Sequence, residues 1–367
     1  MRIVLVIVLF AFTSKADARG ETIQQRSFSA WVHDEQGTIS EDARSHSLSV
    51  SLRASWISDV DLEKLEPSLG IRQLDLSLTR VTDLGLERLG RLVTLADLNL
   101  RFAEFITDQG IAHLRSCKRL ERLDLKGTKI TDTALEHLTS LPMLKWLDIS
   151  FTQVTDGGFD SLLNVSKLEA LIVGGNKLTS RSLPVLKLFP ALKHLDLSGK
   201  QRTDSGLWGL ELTDLNMDQI AAIHQLQSLN LAGTRISDLG ASKLSALKGL
   251  HSLNLDGTQV SERSLRMVAA LPKLQRLSLW HCQKVHDKDV ELLQTMKSLA
   301  ILDLTETSVT GQALQALKGM ASLRLLYLGG TAVSPSDLKA FQQARPNCQV
   351  SFWEEKPVAN PEEPEED

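Results

Sequence analysis

Apolar residues along this chain fall into a rhythm that starts again every 24 or 25 positions. Residues 71 to 94, IRQLDLSLTRVTDLGLERLGRLVT, show it plainly, and close variants recur almost to the end. A fixed period of this size with Leu at set offsets marks a stacked solenoid. The Leu-x-Leu pair of each unit sets the register. The first pairs are Val50/Leu52, Leu74/Leu76, Leu98/Leu100, Leu123/Leu125, Leu147/Ile149, Leu171/Val173 and Leu195/Leu197. Six more run from Leu229/Leu231 to Val350/Phe352, which predicts thirteen strands. The step from Leu195 to Leu229 is 34 residues, so one unit carries an insertion near 199–212.

Within a unit, the L-x-L run has period 2, so its apolar side chains face one way and the x residues the other. Three residues later comes a small polar side chain, usually Thr, as at Thr79, Thr128, Thr152, Thr234, Thr258, Thr307 and Thr331. Such a group can satisfy buried turn backbone. A Ser/Thr-Asp step follows, as at Thr82-Asp83 and Thr131-Asp132. This is a helix start, with an N-cap oxygen and negative charge at the positive helix end. Leu at i, i+3 and i+6 (Leu86, Leu89, Leu92) suits a short helix of two to three turns. A single strand–turn–helix unit cannot bury its apolar face, and stacking closes the core.

These units, written LxxLxLxxTxVTDxGLxxLxxL, resemble the leucine-rich repeat family. They look most like its ribonuclease-inhibitor-like and cysteine-containing classes, and like exported bacterial members. The resemblance covers 48 to about 353. It implies an α/β fold: a right-handed horseshoe with parallel strands on the concave face and short helices on the convex face. It also implies a protein-binding, non-catalytic role.

Outside the repeat, four segments stand apart. Residues 1–18 read as a signal peptide, with Arg2, an apolar run Ile3–Phe12, and cleavage after Ala18 at Ala16-Asp17-Ala18. The run is too short to span a bilayer, so an exported protein without a membrane span is expected. In residues 19–47, Ser29-Ala30-Trp31-Val32 and Asp34-Glu35-Gln36-Gly37 read as strand and turn of a hairpin-like cap over the first repeat edge. Trp31 is then a core residue of the cap. Residues 354–367 hold seven acids and one Lys, and are expected to be a disordered tail. With the chain at −4 and the tail at −6, the body is close to neutral, which argues against nucleic acid. Cys117, Cys282 and Cys348 lie in different repeats, so no disulfide is expected. Asn164-Val165-Ser166 is a sequon on the convex side.

Binding is expected on the strand face. Its central column, from Asp75 and Asn99 through Asp124, Asp148, Asp196, Asn230 and Asn254 to Asp303, reads as a solvated polar face or as an acidic wall for basic groups. Two aromatic groups interrupt it: Phe102, Trp146 and Phe151 beside Arg101 and Asp148, and Trp280, His281 and Tyr327. Exposed Trp, Tyr and Arg often anchor interfaces, so these eight are the candidate partner contacts. The competing reading is sideways packing on adjacent repeats. The insertion, with Trp208, either joins that surface or is a plain loop. His194/Asp196 and His281/Cys282/His286 are the remaining chemistry-bearing groups. No phosphate loop, nucleophile elbow or CxxC is present, so neither enzyme activity nor metal nor cofactor is expected. The expectation is a monomeric scaffold for a protein partner, with a carbohydrate or envelope polymer as the first alternative. A substrate receptor like the repeat part of F-box ubiquitin-ligase adaptors is the second.

Overall fold

The structure is a computed structural model that describes residues 23–199, 201–203 and 206–352. The signal-peptide segment and its cleavage site, Asp204 within the insertion, and the acidic tail lie outside the described residues. A 14-stranded sheet runs from Thr38 to Ser351. Its strands are β1 (Thr38–Glu41), β2 (Leu48–Ser51), β3 (Ile71–Asp75), β4 (Asp97–Asn99), β5 (Arg122–Asp124), β6 (Trp146–Asp148), β7 (Ala170–Ile172) and β8 (His194–Asp196). After a separate hairpin of β9 (Gln201–Thr203) and β10 (Gly206–Trp208), the sheet continues. The later strands are β11 (Ser228–Asn230), β12 (Ser252–Asn254), β13 (Arg276–Ser278), β14 (Ile301–Asp303), β15 (Leu325–Tyr327) and β16 (Gln349–Ser351). From β2 onward neighbours are parallel and in order, with β8 pairing directly to β11. All thirteen expected repeat strands are present, and the insertion folds into the small hairpin beside them.

From Val50/Leu52 to Leu326/Leu328 the apolar pair of each unit is buried between the sheet and the short helices, in one continuous core, and Val350 and Phe352 pack against its end half-buried. In the unit around α2 (Asp83–Leu89), Leu86, Leu89 and Leu92 are fully buried. Burial of each Leu is worth about 1.5–3 kcal/mol. The repeated Thr hydroxyls donate to the carbonyl three residues back, as in Thr79 to Leu76 and Thr128 to Leu125 at 2.7 Å each. Where Asn176 and Cys282 take that slot, they reach instead to the preceding repeat, to the carbonyls of Ile149 and Leu255. All three cysteines are buried and free.

The cap departs from expectation. Ser29 to Val32 lie not on a strand but in helix α1 (Ile23–Asp34). Phe28 and Val32, spaced i and i+4, are buried against the first repeat, and Trp31 packs beside them with Lys64 over its ring. The four-residue alternation was too short to outweigh that helical stripe once Phe28 is counted. Gln36 then takes a left-handed φ of 61° and turns the chain. β1 pairs antiparallel with β2 and covers the first repeat edge.

Candidate functional site

Parallel registry aligns outward side chains into columns. One runs Asp97, Arg122, Trp146, Ala170, His194, Ser228, Ser252, Arg276, Ile301 and Leu325. The next is the Asp/Asn column, and its first role is structural. Asp75, Asn99, Asp124, Asp148, Asp196, Asn230, Asn254 and Asp303 each accept the backbone N–H two residues on. The side chain thus closes the turn that follows each of these eight strands, as Asp and Asn do elsewhere. Burial and the neighbouring Asp148 charge push the Asp124 carboxyl up to about 6. Burial also raises the Asp97 and Asp148 carboxyls, against the pull of Arg122 on the first and the Ser150 hydrogen bonds on the second.

One position ahead of the Asp97-to-Leu325 column runs a row of alternating charge. Glu121 meets Lys145 at 2.8 Å and Arg72 at 3.7 Å, and Glu169 meets Lys193 at 2.7 Å. Each pair joins different repeats. The sign alternation at a spacing of 24 was readable in the sequence.

The eight candidate contacts separate by position. Trp146 stands mid-face in the first column, half-buried, with the Arg122 guanidinium stacked 3.2 Å from its ring centre. Asp148 is buried and accepts both the N–H and the hydroxyl of Ser150. Phe102, Phe151 and His281 occupy the turn after their strands, with left-handed φ values of 54°, 57° and 57°. At that same turn other repeats carry glycine. The Phe102 ring lies against Gly127, and the Phe151 ring against Gly175 and Gly199. A side chain on those glycines would displace the rings. Arg101 and Lys126 cover the two rings at 5.3 and 4.7 Å. Trp280 is 47% exposed beside His281, whose Nδ1 lies 3.0 Å from Glu306. Tyr327 is half-buried in the Asp/Asn column, in register with Asp303.

The central strand face forms an open depression of about 570 Å³. Trp146 and Ile172 line one end, Arg276 the other, and His194, Ser228 and Ser252 lie between. Ile172 and Arg276 were outside the expected set. Ile172 is the one aliphatic residue in its stretch of the Asp/Asn column, and that break in pattern was the available signal. Asp196 is spent on Ser198 and Asn230, and burial and Lys193 hold the His194 imidazole below its ordinary value. His286 caps a helix with Asp289, and burial pushes the Cys282 thiol to about 11. Among the described residues no group of three His, Cys, Asp or Glu could hold a metal.

With this geometry in hand, the Leucine Rich repeat family matches residues 224–245. Solved structures extend the likeness across the chain. Internalin (InlF) of Listeria monocytogenes is 18% identical, covering 90% of this chain and 94% of its own, with a TM-score of 0.54. A chain of the yeast Rad7 and Elc1 complex is 16% identical, covering 83% and 82%, with a TM-score of 0.59. No curated protein matches the sequence. Sheet, helices and these likenesses define a leucine-rich-repeat solenoid of the α/β class.

Proposed function

We propose that this chain is an exported, non-catalytic scaffold that holds a protein partner on the concave strand face. The observation that carries the reading is the mid-face depression, with Trp146 at one end and Arg276 at the other. Trp146 stabilises no turn and sits on the outward side of its strand, already stacked under Arg122. A preformed wall loses little entropy on binding. The yeast structure of similar fold is that of a complex with another protein, Elc1, and this fold is suited to the same use. Export rests on the apolar run and Ala16-Asp17-Ala18 of the sequence.

The test is affinity capture from native cell envelope and medium. The baits are the parent chain, Trp146→Ala with Arg276→Ala, and Trp280→Ala with Tyr327→Ala. A protein held by the parent and reduced at least tenfold by the first pair supports the reading. Equal retention by all three baits removes the strand face from the argument. Retention of purified glycans in place of any protein moves the carbohydrate reading ahead. Export is checked by the N-terminus of the native protein: one that begins at Met1 in the cytosol rejects it.

A further inference from the structure

The solenoid has a flank where the chain leaves each strand and climbs to the next helix. Trp56, Val60, Leu78, Leu84 and Phe105 are there, between 44% and 80% exposed, all in the first three repeats. They are half of the large hydrophobic residues left exposed among the described residues. In the position just before each buried Val or Ile of the turn, the repeats read Trp56, Arg80, Phe105, Lys129. The Arg80 guanidinium lies 4.9 Å from the Trp56 ring, and the Lys129 ammonium 5.7 Å from the Phe105 ring. Aromatic and cation therefore alternate from one repeat to the next along a single row.

More positive charge surrounds this row. Arg53, Arg101 and Lys126 stand at the start of the same turns. Neither they nor Arg80 and Lys129 have a carboxylate within ion-pair distance among the described residues. The acids nearby are Glu104 and the helix-start residues Asp59, Asp83 and Asp108. Those three turn inward and bond the Thr82, Thr107 and Thr131 of the following repeat. Outermost on the flank are the apolar side chains, five cations without an ion pair among the described residues, and one exposed acid, Glu104.

We propose that this flank docks on an anionic phospholipid surface. Large apolar side chains left exposed in three successive repeats, rather than scattered singly, mark an interaction site. Trp, Phe and Leu set among Lys and Arg suit a headgroup boundary, where rings enter the interface and long cations reach to phosphate. Each Lys or Arg adds attraction toward an anionic leaflet. The row is rigid, because each ring rides on a core-anchored turn. The site is separate from the strand-face depression, so lipid docking would leave that face free.

The test is flotation of the full chain with vesicles of phosphatidylcholine alone and of phosphatidylcholine with phosphatidylglycerol. Two variants run beside the parent: Trp56→Ser with Phe105→Ser, and Arg80→Glu with Lys129→Glu. The apolar run Ile3–Phe12 is common to all three, so the readout is the difference between them. Circular dichroism confirms folding, and Trp56→Ser alone, at an 80% exposed position, serves if a double variant fails to fold. The expected result is binding that requires phosphatidylglycerol, weakens with salt, and falls at least tenfold in both variants. Equal flotation of parent and variants overturns the proposal, as does no preference for the anionic vesicles. Retention on heparin without vesicle binding also overturns it and assigns the flank to a polyanion.

Discussion

Asp124 shows how one residue carries two demands. Its carboxyl closes the turn through the Lys126 N–H at 3.1 Å, yet it is buried beside Asp148. In an unfolded chain its ordinary value is near 3.8, and in the fold it is about 6. Between those values the folded state binds more proton than the unfolded state. Stability from this group is therefore full below about pH 4 and falls as pH rises through 6. Asp124→Asn keeps the acceptor oxygen and removes the charge. It is expected to stabilise the protein by about 1–2 kcal/mol at pH 7 and by little at pH 4. Urea midpoints for both proteins across that range check it; parallel pH profiles would refute it. The Asp/Asn column was readable in the sequence as a ladder, but its turn-closing role was not, because spacing does not say where a carboxyl points.

Joining one repeat to the next is a knot of three residue types. Asp83, one past its own N-cap, accepts the backbone N–H and the hydroxyl of Thr107, at 2.8 and 2.5 Å, in the following repeat. Gly110 sits where any side chain would overlap that carboxylate. The T-D-x-G-L signature thus serves two repeats at once. The sequence alone accounts for the cap and the dipole, while the reach to the next unit needs the stack. Asp214 to Ser237 and Asp238 to Ser261 repeat the link, whereas Thr213 and His286 are capped within their own repeat. Gly110→Ala should cost about 1–3 kcal/mol through overpacking. In combination with Asp83→Ala, much of that added cost should vanish, since the obstruction is gone. A double-mutant cycle by chemical denaturation measures this, and strictly additive effects would contradict the account.

A solenoid is stabilised unit by unit through neighbouring interfaces, so its ends need caps and damage at one end can stay local. α1 and β1 close the N-terminal end, with Phe28 and Val32 in the core. Phe28→Ala should cost about 3–5 kcal/mol locally. Loss of order is then expected to begin at β1 to β3, while β11 to β15 keep their protection. Hydrogen exchange resolves the two halves, and a uniform loss of protection would show one cooperative unit instead. The flank of Trp56 and Phe105 belongs to this scale too, since its row exists only once four repeats are stacked.

The period of 24 or 25, the Leu frame, the Thr slot and the helix starts were enough to determine the solenoid, its thirteen repeat strands and the place of its insertion. Each of those features is local, repeated and driven by burial. What only the stack decided is which outward residues meet. Phe102 and Phe151 share a composition with Trp146, yet a left-handed turn lays them on neighbouring glycines while Trp146 stays on the open wall. The charge row through Glu121 and the aromatic–cation flank likewise depend on side chains 24 or more residues apart coming within a few ångströms. Periodicity locates a residue within its repeat, but contact between repeats follows from registry and side-chain direction, which only the folded molecule sets.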